Sequence, residues 1–417
     1  MSEGIKSAIT GREGINVSGD GLYSAITGKK SAVFSAGKVV SAITGRELKS
    51  YEGACSSGST EGSGKYRVRF FDYDGTILKT VYTDGGAVTA PNVPDHERLL
   101  FQEWNNDFDD ITADLDVGAI YTTKSGKCEF DIDINSLTGL TQYVGIRLTS
   151  GTVTIEWGDG TSETLSTIGD TRVAHTYAAS GKYMIMVSGT ENWMFLSYAL
   201  GTTDANESFQ NRGVTAVRLA KLKSAQSPLL DRLYICETLV LDRESTANGQ
   251  RMYGGMANLR HCNLPRGLDS QLWMFVNCYR LNRLVFPDSF TSIKGYFCEN
   301  SSLRSDFVLP PNITLIEGNS FGSNGNYPVF SRVTIPSKVV AIHAVAFVAL
   351  NGESSLRTVI MKPTTPPTIQ AVPGNEMQSS FPIRGSLKEI IVPAGCGEAY
   401  KSATNWSYYA DIIKEEE

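Results

Sequence analysis

The 417 residues predict a mainly β chain built from several units in series, and three observations carry that prediction. The pentapeptide Ser-Ala-Ile-Thr-Gly occurs three times near the N-terminus, each copy 17 residues after the last. Through the middle of the chain, segments rich in Val, Ile, Thr and Tyr alternate apolar and polar residues with the period of a strand. From about residue 213 a short apolar strand ending in proline returns every 22 to 30 residues. Single cores stop growing well below this length, so two to four domains are expected. Few stretches show the spacing of a long amphipathic helix.

The first unit, residues 1–51, is defined by the pentapeptide and its register. Ser7, Ile9 and Gly11 recur as Ser24, Ile26 and Gly28, and again as Ser41, Ile43 and Gly45. The register extends further, through Ile5, Leu22 and Val39 and through Val17, Phe34 and Tyr51. A flexible Gly/Ser linker does not keep apolar register. A repeat this short cannot bury a core alone, so it must stack on its own copies or dock on another protein. These nine residues are therefore read as an anchoring segment. Residues 52–64 contain little that could pack and read as a Gly/Ser linker.

Residues 65–124 form the next unit. Tyr66-Arg67-Val68-Arg69-Phe70-Phe71 and Thr76-Ile77-Leu78-Lys79-Thr80-Val81-Tyr82 flank Asp74-Gly75, the pattern of a hairpin. Ala90-Pro91 and Val93-Pro94, then Phe101 and Trp104, then the strand Asp114 to Tyr121 follow in that order. This order resembles the internalin B-repeat, or Listeria–Bacteroides repeat, a β-grasp-like module. The resemblance implies a spacer with Trp104 in a small core.

Residues 125–200 carry Trp157-Gly158-Asp159-Gly160, then His175-Thr176-Tyr177 ahead of Gly181 and the alternating strand Tyr183 to Val187. Asp159-Gly160 suits a hairpin turn with positive φ, and Trp157 and Tyr177 suit the space between two sheets. The pattern resembles the polycystic-kidney-disease (PKD) type of Ig-like β-sandwich.

In residues 201–417 the closing prolines of the recurring strand are Pro265, Pro287, Pro310, Pro336, Pro363 and Pro393. Their drifting spacing is that of a solenoid with loop insertions. Between strands, Ile316 to Phe321 and Ile342 to Phe347 share an I-x-x-x-x-F pattern. These segments resemble BspA-like leucine-rich repeats, and the last residues, with Tyr400, Trp406 and Tyr409, resemble that family's C-terminal cap. The resemblance implies a leucine-rich-repeat solenoid whose coils each add one short strand to a parallel sheet.

The candidates for chemistry weigh toward structure. Phe70 to Leu78, with Asp72 and Asp74, fits the first motif of haloacid-dehalogenase-type phosphatases, and Asp109-Asp110 could be cast as metal carboxylates. That chemistry needs a doubly wound α/β domain around the nucleophile, so a turn in a small β unit is the reading adopted. No G-x-S-x-G elbow accompanies the four histidines, His96, His175, His261 and His343, which are too dispersed for a zinc site. Asp159 and Asp170 are better turn residues than calcium ligands. Seven scattered cysteines without a C-x-x-C read as buried thiols. No catalytic residue, cofactor or metal is expected, and the chain is not read as an enzyme.

A net charge of −6, with seven basic and four acidic residues among the first 50, gives no basic patch for nucleic acid. The opening residues lack an apolar signal region, and no stretch of 18 apolar residues suggests membrane insertion. Modules of extracellular type without an export signal fit a bacteriophage virion protein, assembled in the host cytoplasm. On this reading the chain is a tail or head fibre or decoration protein on the virion surface. Residues 1–51 bind other virion proteins (capsid, portal or tail), residues 213–417 bind a host-surface glycan or protein, and a homo-oligomer is expected. Trp273, Tyr327 and Trp406 are the candidate receptor-surface aromatics. The alternative is a BspA-like adhesin on a bacterial cell surface.

Overall fold

A computed structural model describes residues 6–10, 15–18, 23–27, 32–35, 59–135, 137–201, 213–322, 330–348, 355–372, 375, 378–382 and 386–417. The chain divides into two units, Met1–Ser56 and Ser57–Glu417.

In the first unit the 17-residue repeat becomes a pairing register. Strands β1 (Lys6–Thr10) and β3 (Tyr23–Thr27) run parallel with Ser7 opposite Ser24 and Ile9 opposite Ile26. Strands β2 (Ile15–Ser18) and β4 (Ala32–Ser35) pair the same way, with Val17 opposite Phe34. The first two repeats thus contribute two short strands each, and each strand of the first pairs with its copy in the second. Of the nine residues expected to anchor the chain, Gly11, Gly28, Ser41, Ile43 and Gly45 lie outside the described residues.

The second unit begins with a five-stranded sheet of order β5-β7-β6-β9-β8. Its strands are β5 (Ser59–Glu61), β6 (Tyr66–Phe71), β7 (Ile77–Thr83), β8 (Leu99–Trp104) and β9 (Leu115–Thr123). The hairpin expected around Asp74-Gly75 joins β6 to β7, and β9 lies parallel to β6. Residues 59–64, expected as linker, instead begin the sheet: β5 pairs with β7, and a Cβ on Gly64 would meet the Thr83 main chain at 2.3 Å. Residues 52–58 lie outside the described residues. One side of this sheet packs Val68, Phe70, Leu115 and Val117 with Trp104, whose ring meets Phe70 edge-on at 5.1 Å.

Two sheets follow. Strands β10 (Cys128–Ile134), β12 (Val153–Glu156), β13 (Ser162–Leu165) and β15 (Gly181–Gly189) form one, and β11 (Thr141–Leu148), β14 (Gly169–Thr176) and β16 (Trp193–Phe195) form the other. Trp157 and Tyr177 are buried, and the Tyr177 hydroxyl donates to the Trp157 carbonyl at 2.8 Å. The first sheet does not end where the sandwich was expected to end at residue 200. Strand β17 (Val214–Leu219) adds antiparallel to β10, and β18 (Thr238–Leu241) then adds parallel to β17. The β-solenoid grows directly from the sandwich edge, and one apolar core runs from Cys128 to Ile413.

The coils that follow contribute β19 (His261–Asn263), β20 (Arg283–Val285), β21 (Ser292–Ile293), β22 (Leu315–Ile316), β23 (Arg332–Ile335), β24 (Ala341–Ile342), β25 (Thr358–Met361), β26 (Glu389–Val392) and β27 (Ile413–Glu415). All their recorded pairings are parallel, as stacked coils of one chain require, and some coils add a strand to each of two separate sheets, as β23 and β24 do. Core side chains stack coil on coil: Phe321, Phe347 and Phe381 lie face to face at 5.5 Å spacings. Helix α1 (Gly397–Ser402) and a 3₁₀ turn, Trp406–Ile412, close the stack.

Candidate recognition surface

The sequence suggested three units strung in series as spacers and tip; the structure corrects this for the unit at residues 65–124. Its sheet lies across the strands of the early coils, with β9 against β17, β18, β19 and β20. Alternate residues explain why: Arg69, Phe71, Asp116, Gly118 and Thr122 sit on the sheet face away from its own small core, and they meet the solenoid instead of water.

At the centre of this contact Arg69 makes two 2.8 Å hydrogen bonds to the Asp116 carboxylate in its own sheet. It also reaches the Asp306 carboxylate, which Arg283 of β20 binds at 3.1 and 3.2 Å. Arg283 lies 3.5 Å from Asp116, closing the four-residue network. Both guanidinium groups stand over the Phe71 ring, at 5.2 and 4.8 Å. Burial would raise the Asp306 pKa, but Arg69 and Arg283 overcome this and hold it well below the usual carboxylate range.

Asparagines fix the register of the contact. Asn105 donates to the carbonyls of Leu264 and Val285 on consecutive coils, and Asn106 donates to Phe286. From the solenoid side, Asn263 donates to Asp72 and Ala119 at 3.2 and 3.0 Å. Its side-chain oxygen accepts from Nε2 of buried His261, so that nitrogen carries the proton and Nδ1 is left unpartnered. A small apolar cluster also spans the contact, with Val240 of β18 against Leu99, Ala119 and Tyr121.

Beyond Asp306 the same kind of strand face is open. The inward residues Val333, Ile335, Val359, Met361, Ile390 and Val392 are buried, whereas their alternates point outward. Register places Arg332, Thr358 and Glu389 in one row and Thr334, Ile360, Ile391 and Lys414 in the next. Glu389 accepts from the Thr358 hydroxyl at 3.0 Å and pairs with Lys414 at 3.3 Å, which together lower its pKa. The result is a surface of mixed charge with Ile360 and Ile391 at its centre, suited to a broad contact rather than to an enclosed small molecule.

The three aromatics expected on a receptor surface fare differently. Trp273 is half-buried at the surface. Tyr327 lies outside the described residues. Trp406 is a correction: it is fully buried, its Nε1 donates to the Pro367 carbonyl at 2.8 Å, and Tyr400 meets it edge-on at 4.9 Å. It fills the last coil of the core and offers nothing to a receptor.

The carboxylates singled out from the sequence are committed to local partners. Asp72 is buried in the β6–β7 turn, where its main chain bonds to Thr76 and its carboxylate lies 3.0 Å from Nε2 of His96. Asp74 accepts from the Thr76 amide. Asp159 accepts from the Thr161 hydroxyl and amide and from His175, which lower its pKa to about 2. Asp170 pairs with Arg147. Among the described residues no group of three or more His, Cys, Asp or Glu is gathered as a metal would need. Cys128, Cys236, Cys262, Cys278 and Cys298 are buried free thiols, and burial raises the first two to about 12.

The residues that dock the two parts were not singled out from the sequence. A signal was present in Phe70-Phe71, since adjacent bulky apolar residues on a strand require both sheet faces to be covered.

With this geometry in view, the comparisons with known proteins concern the solenoid. Residues 233–356 match the model of the BspA type leucine rich repeat region, in six copies. The coils are thus BspA-type leucine-rich repeats over that span. No curated protein matches the chain. Among solved structures the chain is similar to a leucine-rich repeat protein from Bacteroides ovatus ATCC 8483, with 16% identity and a TM-score of 0.30 over 47% of this chain and 46% of that one. The chain spans about half the length of that structure.

Proposed function

We propose that this is a bacterial surface protein of adhesin type, a binding protein and not an enzyme, whose solenoid presents an extended recognition face to another macromolecule. The observation that carries this reading is the run of six BspA-type repeats over residues 233–356. The open rows from Arg332 to Lys414 support it, because repetition supplies breadth where a pocket would supply enclosure. The virion role expected from the sequence draws no support from the comparisons, and the cell-surface alternative fits the BspA-type match better.

The finer assignments belong to this proposal as well. Residue pattern alone supports a B-repeat-like unit at 65–124 and a PKD-like unit at 125–200. In this reading the first 51 residues attach the protein, and the solenoid reaches a partner on another surface. No helix among the described residues is long and apolar enough to cross a membrane.

Antibody raised against the solenoid tests the location. Labelling of intact producing cells, lost after mild surface proteolysis, is the expected result. Recovery of the chain in virus-like particles and its absence from the cell envelope overturns the reading.

A further inference from the structure

Three successive coils of the solenoid carry left-handed backbone at two points each, and one of these points forms a row. Arg251, Trp273, Tyr296 and Asn319 occupy equivalent places in successive coils, with φ of 53°, 58°, 57° and 59°. Main-chain bonds stack the row: Arg251 donates to Leu272, Trp273 to Gly295 and Tyr296 to Gly318. Left-handed backbone is tolerated by glycine and asparagine and is a genuine outlier for bulky residues. The neighbouring bend of the same coils uses the inexpensive residues Gly255, Asn277 and Asn300. At Trp273 and Tyr296 the chain instead holds two large rings in strained backbone, both half-buried at the surface. Val345, next in the row with φ of 63°, is buried in the core, whereas the two rings stay at the surface, where such strain points to a task of the side chain's own.

The two rings stand 5.4 Å apart at 40°, one coil from the next. Two residues before each ring, a polar row runs alongside. Asn248, Gln271, Lys294 and Glu317 are each 23 residues apart. Gln271 donates to Asn248 at 3.4 Å, and Lys294 pairs with Glu317 at 2.9 Å. The row therefore offers amide donors and acceptors without net charge.

From this arrangement we propose that Trp273 and Tyr296 form a stacking platform for a neutral, equatorially linked hexopyranose chain, with Gln271, Lys294 and Glu317 bonding its hydroxyls. The chemistry matches on three counts. A pyranose with equatorial hydroxyls presents C–H groups on its ring faces, which suit an aromatic surface. Coils rise by about 4.8 Å, a step comparable to one sugar along the chain. Hydroxyls both donate and accept, as the mixed polar row requires, and the internal neutralisation of Lys294 by Glu317 gives an anionic ligand no advantage. This inference rests on the surface-recognition reading above and names its ligand class.

The test uses the full chain, with cellohexaose and chitohexaose as probes in titration calorimetry. Binding of at least one probe by the native chain is expected, with affinity reduced at least tenfold in Trp273→Asn and in Tyr296→Asn. Because asparagine accepts left-handed backbone, the melting temperature of both variants should be unchanged or higher; a ring kept only for packing would lower it. Failure of the native chain to bind either probe, or undiminished binding by the double variant, overturns the proposal. Cell binding that survives in the double variant overturns the platform while leaving the adhesin reading intact.

Discussion

Arg69 donates from Nη2 to the main-chain carbonyl of Asp306 at 2.7 Å, across 237 residues of sequence. This bond ties the small N-terminal sheet of the second unit to the middle of the solenoid. Around it lie charge-assisted and amide bonds, whose geometry fixes the register of the contact. It closes part of the solenoid's strand face and leaves the later coils available.

Removing Arg69 should be costly. Arg69→Ala leaves the buried Asp116 with only the 3.5 Å approach of Arg283, and breaking a buried pair from one side costs about 3–5 kcal/mol. Urea denaturation of the full chain measures this. Arg98→Ala, which breaks an exposed pair with Asp131, should cost about 1 kcal/mol or less.

The docked contact should weaken in acid in two stages. Burial pushes His261 down to about 4, despite its bond to Asn263. The unfolded chain, with histidine near 6.5, therefore binds the proton first. The stability tied to neutral His261 is present above pH 6.5 and is lost as pH falls toward 4. Asp306, held below its usual range, contributes stability that is present above about pH 4 and is lost on further acidification. Melting temperature against pH should show a shallower slope between 6.5 and 4 in His261→Gln, and a shallower slope below 4 in Asp306→Asn.

Gly118 is a point of close approach between the two parts. A Cβ there would lie 2.6 Å from Cγ and 2.8 Å from Cβ of Asn263, the residue that bonds to Asp72 and Ala119. Gly118→Ala should cost about 1–3 kcal/mol through overpacking. Limited proteolysis should then cut within residues 65–124 faster than in the native chain. An unchanged digestion pattern would argue that the contact is looser than described.

Trp406 should behave as core. Trp406→Ala is expected to cost about 3–5 kcal/mol, measured by chemical denaturation. Tyr408→Ala, at an exposed neighbour, should stay within about 0.5 kcal/mol.

The strands, the turn at Asp74-Gly75, the 17-residue pairing step and the coil rhythm marked by proline were legible in the residues, because each follows from local periodicity or from a turn that few residue types can make. Which surfaces meet was decided only in three dimensions. Arg69, Asn105 and Asn263 are residues that serve equally well on a solvated face; only the arrival of Asp306, Leu264 and Ala119 from distant parts of the chain makes them a contact. Trp406 was ambiguous for the same reason. An aromatic near the C-terminus suits a receptor surface or a last core layer alike, and the Pro367 carbonyl beneath its indole nitrogen settles which. Periodicity reports that a side chain leaves water, whereas its partner depends on contacts whose cost in chain entropy only the complete fold can offset.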